Sequence, residues 1–343
     1  MAARGYQRSM DTTTAHRRAA FLAWSTARLW TEGRLLEAQV ACEEALALMQ
    51  VGGSPSAVAS VRTTLGRVLR TMGSVDEAHD HLVAALERQA LEGDGRLMAL
   101  TREELAGVEL LRGHPDAAVE LLTEEEDAGA SAEDPAHDVR TWLLLARAHH
   151  AAGRLDEALA QVRMLWAAVE PAGNALLLAG VAAVAGDLLL ERGNPNEALR
   201  AYGRGLAGDL PPWAEVELRL GVARVRMERG AMDAAWLEAS SAAEIASASS
   251  LRLDEGVAWS TIAMLAAREG REGEARDAIA TAEERLACGP AWAPLASLAA
   301  AALQLRSDRT AVFSVLTEVP DRSLSIVPVR LAMRALRTWA AGA

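Results

Sequence analysis

The sequence feature that most constrains the fold is a glycine that recurs about every 40 residues, each time followed five residues later by an alanine. The spacing between successive glycines is 40 residues throughout, except for one interval of 37. A nearly constant period over seven copies predicts a tandem array of one structural unit rather than a chain of unrelated domains. The seven glycines are Gly33, Gly73, Gly113, Gly153, Gly193, Gly230 and Gly270.

Each glycine separates two stretches of helix-forming residues. Before Gly153, for example, Trp142 and Leu145 lie three positions apart, and after it Ala158 and Val162 lie four apart. Such spacing places apolar side chains on one face of a helix. A glycine at the end of a helix supplies the left-handed residue that terminates it. The unit is therefore predicted to be a helix–turn–helix hairpin, with a small alanine where its two helices cross closely. These alanines are Ala38, Ala78, Ala118, Ala158, Ala198, Ala235 and Ala275.

The order of residues within the unit resembles the tetratricopeptide repeat (TPR). The pattern is seen in the second unit as Leu65, Gly66, Gly73, Ala78, Leu82 and Ala85. The resemblance implies an all-α protein, a right-handed α-solenoid of tandem TPR-like hairpins. The 40-residue period is similar to that of arrays in large bacterial regulators and signalling ATPases.

The two ends of the chain depart from the repeat. We expect residues 1–15 to form a flexible N-terminal tail and residues 16–290 to form the seven hairpins. Residues 291–343 are predicted to hold a degenerate hairpin, with its turn at Ser307 and Asp308, and a capping helix at about 329–340. A final atypical helix is expected because a stacked array exposes an apolar face at its end.

Composition narrows the classes of function. The net charge is −12, from 47 acidic and 35 basic residues, and all the basic residues are arginine. An acidic chain is a poor ligand for nucleic acid or for an anionic membrane surface, so neither is predicted as a partner. The absence of lysine indicates a bacterial genome of high GC content. The two cysteines and the absence of an apolar leader sequence favour a cytoplasmic protein.

No motif of a known catalytic centre is present. The sequence has no nucleophile elbow, phosphate-binding glycine loop or zinc-ligand pattern. The pair His79 and His81 would point to different sides of a helix. His149 and His150 are adjacent, and His149 occupies a repeat position that is usually apolar, so neither pair is predicted to bind a metal. We therefore predict no enzymatic activity, no metal and no cofactor.

The candidate binding residues follow from the TPR resemblance, which implies that the first helix of each hairpin lines a concave groove. In that family the positions six and three residues before each turn glycine face the groove, and those thirteen and ten before it contribute less, so the resemblance implies the same here. The charged residues that we select at these positions are Arg67, Arg70, Glu103, Arg140, Arg147, His150, Asp187 and Arg224. Glu217 lies in one of the outer positions.

The arginines among these residues suggest a ligand. Guanidinium groups bind carboxylates through two parallel hydrogen bonds. We therefore predict a site for a protein or peptide with an acidic segment. The alternative is that the arginines pair with Glu103, Glu104 and Asp187 of the chain itself and bind nothing.

The function predicted from the sequence is a non-catalytic protein- or peptide-binding scaffold of a bacterial signalling or regulatory pathway. One alternative is the sensory domain of a transcription regulator that binds a peptide or a small molecule. The other is a self-assembling structural protein, with the terminal hairpins as a homodimer contact. An asparagine and lysine clamp for a peptide carboxyl terminus, which the family resemblance would offer, is not expected because the chain lacks lysine.

Overall fold

The computed structural model describes residues 2–50, 54–127, 135–305 and 308–342, and within these ranges it contains eighteen helices and no strand. The predicted all-α solenoid is confirmed. The helices are α1 (Ala2–Thr31), α2 (Leu35–Gln50), α3 (Pro55–Met72), α4 (Val75–Glu92), α5 (Gly95–Arg112), α6 (Pro115–Asp127), α7 (Pro135–Ala151), α8 (Leu155–Ala172), α9 (Ala175–Glu191), α10 (Pro195–Gly205), α11 (Pro212–Glu228), α12 (Met232–Ala248), α13 (Arg252–Glu269), α14 (Glu272–Leu286), α15 (Pro294–Gln304), α16 (Arg309–Glu318), α17 (Asp321–Leu324) and α18 (Val327–Gly342).

The repeated turn has one geometry in all seven hairpins. Each turn glycine has a φ between 74° and 87°, in the left-handed region. The amide of the residue after the glycine donates to the carbonyl oxygen five positions earlier, as Ser74 does to Leu69 at 2.9 Å. This bond satisfies a carbonyl that the end of the helix would leave unpaired. The seven repeated alanines are all 0% exposed, in agreement with close crossing of the paired helices.

The hairpins stack in chain order. Every helix from α1 to α15 packs against the next one in sequence, and the first helices α3, α5, α7, α9, α11 and α13 also contact the next first helix along the array. The apolar faces of these helices merge into extended cores between neighbouring hairpins. Helix α18 packs on α15 and α16 and extends the stack at the C-terminal end.

The solenoid also closes on itself. The turn of the first hairpin lies against Pro212 at the start of α11, where a Cβ on Gly33 would overlap the proline ring. The indole rings of Trp30 and Trp213 lie 4.8 Å apart at the same contact. Gly73 likewise faces Leu253 at the start of α13. Each of these hairpins therefore contacts the hairpin five units further along.

Closure continues at the C-terminal end of the array. Gly113, in the turn of the third hairpin, lies against the backbone of Arg322 in α17. The indole Nε1 of Trp292 donates to the carbonyl oxygen of Leu111 at 2.8 Å. The open groove that the TPR resemblance implies is therefore largely covered, because the first hairpins and the last ones meet across the axis of the superhelix.

The ends of the chain carry additional helix. Helix α1 begins at Ala2 and runs through residue 15, where the sequence predicts the end of a tail; Met1 and Ala343 lie outside the described residues. The degenerate hairpin is formed by α15 and α16, and the Asp308 carboxylate accepts the amide of Ala311 at 3.0 Å. Ser307 lies outside the described residues. The division of the chain into tail, seven hairpins and cap stays a prediction.

None of the helices in the described ranges combines the length and the hydropathy that spanning a bilayer requires.

Candidate functional site

The eight predicted residues all lie on first helices of the hairpins. Arg67 and Arg70 lie on α3, Glu103 on α5, Arg140, Arg147 and His150 on α7, Asp187 on α9 and Arg224 on α11. Stacking of these helices turns the predicted positions toward the interior of the superhelix. There they form five networks of ion pairs, each with carboxylates of the chain itself.

The first network joins the second and third hairpins. The Arg67 Nε donates to Glu104 Oε1 at 2.5 Å, and Arg70 Nη2 lies 3.1 Å from Glu104 Oε2. Gly107 leaves the space in which the Arg70 side chain lies, since a Cβ there would be 3.1 Å from the Arg70 Cδ. Burial alone would raise the pKa of Glu104, but the two guanidinium groups outweigh it and lower that pKa. Glu104 is therefore ionised and holds both arginines.

The second network joins the third and fourth hairpins. Glu103 is buried on α5, and the Thr141 hydroxyl donates to its Oε1 at 2.9 Å. The Arg140 Nε lies 3.6 Å from its Oε2. Both predicted residues of this pair therefore stabilise the contact between α5 and α7.

The third network joins the fourth and sixth hairpins, which are not neighbours in the array. Arg147 on α7 donates to Glu217 on α11 through both terminal nitrogens, Nη1 to Oε1 at 2.6 Å and Nη2 to Oε2 at 3.0 Å. This is the two-bond geometry that guanidinium groups prefer for carboxylates. The side chains are 31% and 32% exposed, which makes this pair more open than the others around the axis.

Asp254, in the first turn of α13, lies beside the Arg147–Glu217 pair. Burial and the charge of Glu217 raise the pKa of Asp254 to about 7, although Arg147 acts in the opposite direction. Among the described residues, no base lies within ion-pair distance of this carboxyl group. Asp254 therefore has no direct ion pair with a described residue, unlike Glu217 beside it.

The fourth network contains the most buried arginine–carboxylate pair of the five networks. Arg224 Nη2 lies 3.0 Å from Asp187 Oδ1, and the hydroxyl of Tyr202 donates to the same oxygen at 2.5 Å. The Tyr202 ring is fully buried because Gly186 and Gly221 present no side chain to it, and a Cβ at either position would overlap the ring. Burial raises the pKa of Tyr202 well above its usual value, and Asp187 adds to this effect.

The fifth network attaches the capping helix. His150 Nε2 lies 3.4 Å from Glu191 Oε1, and Arg330 of α18 lies 3.0 Å from the same oxygen. Burial raises the pKa of Glu191, but His150 and Arg330 outweigh this and lower it. The fifth hairpin, the fourth hairpin and the cap thus share one ionised carboxylate.

A cavity of about 260 Å³ lies on the axis of the superhelix, and residues of four of the five networks line it. Five of the eight predicted residues line it, while Arg67, Glu103 and Arg140 do not. The five are Arg70, Arg147, His150, Asp187 and Arg224.

The remaining polar and aromatic lining includes residues that the repeat register does not indicate. Trp213 and Asp254 come from the first turns of α11 and α13, and Trp292 precedes α15. They lie sixteen or more residues before a turn glycine, or outside the repeats, so the groove positions do not include them. They reach the cavity only because the solenoid closes. Trp30, Leu110 and Glu217, which do lie at groove positions, also line the cavity.

No family model matches this chain, and no curated protein matches it. Solved structures do resemble it. A Rap protein complexed with competence and sporulation factor has a TM-score of 0.62 and 12% identity over 79% of this chain and 76% of that one. The Rap conjugation gene regulator of plasmid pLS20, in complex with a Phr peptide, has a TM-score of 0.58 and 12% identity over 94% of this chain and 96% of that one.

A third resemblance is to a signalling ATPase. The signal transduction ATPase with numerous domains from Pyrococcus horikoshii, which carries a TPR sensor, has a TM-score of 0.53 and 14% identity. The similarity covers 88% of this chain and 49% of that one. At such identities the likeness concerns the fold, and it agrees with the repeat pattern of the sequence. In fold, the chain is a TPR-like helical repeat protein.

Proposed function

We propose that the chain is a non-catalytic binding scaffold of a bacterial regulatory pathway, acting in the cytoplasm, and that it receives an acidic group of a peptide or protein in the axial cavity. The observation that carries the proposal is the cavity itself, where first helices of several hairpins converge on arginine forks and indole rings. Two of the solved structures with this fold are complexes, one with competence and sporulation factor and one with a Phr peptide, which supports a peptide as the ligand.

The size of the cavity limits what enters it. Pockets for drug-sized ligands usually measure about 300–1,000 Å³. A volume of about 260 Å³ fits one anchoring side chain, a carboxyl terminus or a small acid, rather than a whole extended peptide. The rest of a longer ligand would lie outside the closed axis. We therefore narrow the acidic segment expected from the sequence to a single anchoring carboxylate.

Arg147 is the residue that we propose for the anchor. A ligand carboxylate has to take an arginine from its present partner, and the Arg147–Glu217 pair is the most exposed pair that lines the cavity. Asp254 repels Glu217, as the raised pKa of Asp254 indicates. Displacement of Glu217 toward solvent relieves this repulsion, whereas displacement of Asp187 from Arg224 would leave a charge buried without a partner.

The experiment compares three pools of short synthetic peptides that contain one glutamate, one arginine or neither, with the melting temperature of the protein as the readout. Ligands that bind only the folded state raise the melting temperature. We expect the glutamate pool to raise it, and the effect to disappear in Arg147→Gln. Arg147→Lys keeps the positive charge but lacks the fork, so we expect a reduced effect. Arg276→Gln is the matched control, because Arg276 forms an exposed pair with Glu272 away from the cavity.

Two results would contradict the proposal. Stabilisation by the arginine pool alone would mean that Asp254 rather than Arg147 selects the ligand. The second result is that no pool raises the melting temperature although circular dichroism shows that the wild-type protein is folded. It would mean that the cavity is only a packing feature.

A further inference from the structure

The first hairpin exposes an apolar surface on the outer side of α1 and α2. We call it the N-terminal face and define it by Phe21, Leu22, Trp24, Leu29, Leu36 and Val40. Four of these side chains, those of Phe21, Trp24, Leu36 and Val40, are between 58% and 68% exposed. Leu22, Leu29, Leu36 and Val40 line a shallow groove between the two helices. Large apolar side chains gathered on one surface usually mark an interface.

Phe21 occupies a repeat position that is buried in the other hairpins. It lies twelve residues before its turn glycine. In the six following hairpins the residue at this position is at most 4% exposed, because the preceding hairpin covers it. These residues are Val61, Thr101, Thr141, Val181, Leu218 and Ala258. Phe21 is 63% exposed because no hairpin precedes the first one in the structure.

The second helix of the first hairpin is also unusual. Leu36 and Val40 lie three and seven residues after the turn glycine, at positions that are solvent-exposed in the other hairpins as well. Four of those hairpins carry a charged residue at the later position: Asp80, Glu120, Arg200 and Asp277. Only the first of the seven hairpins has large apolar residues at both positions. This part of the face is thus apolar where the repeat elsewhere favours polar residues.

The charges around the N-terminal face indicate what covers it. From residue 17 to residue 31, α1 carries Arg17, Arg18 and Arg28 and no acid. Helix α2 carries Glu37, Glu43 and Glu44 and no base. A two-fold axis that places α1 of one copy against α2 of another brings the apolar residues together and sets each arginine row opposite a glutamate row. Within one copy, Arg18 pairs with Glu44, Arg28 with Glu32 and Glu37 with Arg34, so these contacts would be shared or exchanged in the dimer.

We propose that the N-terminal face is a homodimer interface. The first hairpin of a second copy would cover Phe21, whose counterparts are covered by the preceding hairpin elsewhere in the array, together with the exposed apolar residues Leu36 and Val40. The arrangement is isologous, so one patch serves both partners. The proposal is independent of the ligand proposed for the axial cavity.

The first experiment measures mass by light scattering during size-exclusion chromatography over a range of protein concentrations. We expect the wild-type chain to be a dimer and the double variant Trp24→Glu, Val40→Glu to be a monomer of unchanged helical content. Leu237→Glu is the matched control, because Leu237 occupies the position of Val40 in the sixth hairpin and is 66% exposed. It should remain a dimer. A wild-type monomer at every concentration, or a dimer that survives the double variant, would overturn the proposal.

A second experiment tests the two-fold arrangement. One variant carries the substitutions Arg17→Glu, Arg18→Glu and Arg28→Glu, and the other carries Glu37→Arg, Glu43→Arg and Glu44→Arg. Each variant alone sets like charges opposite one another and should dimerise at least tenfold more weakly than the wild type. Their mixture sets opposite charges together again and should form a heterodimer. A mixture that associates no better than either variant alone would contradict the two-fold arrangement.

Discussion

Arg330 of the capping helix donates to the carbonyl oxygen of His150 at 2.9 Å, across 180 positions of sequence. The same guanidinium donates to the carbonyl oxygens of Ala151 and Leu324 and pairs with Glu191. One side chain of the capping helix therefore contacts the last residues of α7, α9 and α17.

The replacement Arg330→Met tests this anchor. It removes the donor for three carbonyl groups and leaves Glu191 with His150 alone, so we expect the free energy of unfolding to fall by about 3 kcal/mol. Urea denaturation followed by circular dichroism measures it. Arg337→Met is the control on the same helix, where the side chain is exposed, and it should change the stability by less than about 0.5 kcal/mol. Equal decreases in the free energy of unfolding in both variants would show that the contacts of Arg330 add no more stability than those of an exposed arginine.

The packing of Tyr202 predicts opposite effects for two glycine replacements. Gly186→Ala places a methyl group in the volume of the tyrosine ring, and we expect it to destabilise the protein by about 2 kcal/mol or more. Gly203→Ala, on α10, meets no atom within 4 Å and should stabilise the helix by about 0.5–1 kcal/mol. Thermal unfolding of both variants distinguishes a steric effect from a loss of helix propensity. Stabilisation by both replacements would refute the described ring position.

Asp254 predicts a specific pH dependence. Its pKa in the folded chain is about 7, above the ordinary value of 3.8, so between these pH values the folded state binds more protons than the unfolded state. Stability from this group is then present at low pH and is lost as the pH rises through about 7. Asp254→Asn removes the loss and should raise the free energy of unfolding at pH 8 by up to about 4 kcal/mol, with little effect near pH 4.

The measurement for Asp254 is the difference between wild type and variant in urea, at several pH values, because other titrating groups cancel in that difference. Arg147 and Glu217, which face the carboxyl group, remain in both proteins. A difference that does not vary with pH would contradict the raised pKa.

The indole of Trp292 provides a separate test of closure. Trp292→Phe keeps an aromatic ring but removes the hydrogen bond to the Leu111 carbonyl oxygen, and we expect a loss of about 1–2 kcal/mol. Trp142→Phe removes an indole that is 40% exposed and should be nearly neutral. Chemical denaturation of the two variants gives the comparison, and a neutral Trp292→Phe would mean that this contact adds nothing to stability.

The hairpins were predictable from sequence because their determinants are local. A turn glycine and the alanine five residues later are set by the geometry of one hairpin, and Gly73 with Ala78 shows this in the structure. The ion-pair partners of Arg67 and Arg70 were also within reach, since Glu104 lies on the next first helix.

The cavity was not predictable in the same way. Asp254, Trp213 and Trp292 reach it only because the chain curves until hairpins far apart in sequence meet. The angle between successive hairpins determines which distant hairpins come into contact. Small differences in this angle at each of many interfaces accumulate along the array. The repeat register records which residues turn inward and does not record how far the superhelix winds.

Closure of the axis changes how such an array is expected to fold. In an open solenoid each repeat contacts only its neighbours, so the stability is nearly a sum of local contributions and unfolding can start at an end. Here the contacts between Gly33 and Pro212 and between Trp292 and Leu111 join segments that are far apart in sequence. Such non-local contacts form late and slow the folding of a chain. The molecule should therefore unfold in one cooperative step and refold slowly, unlike the gradual fraying of a linear repeat array.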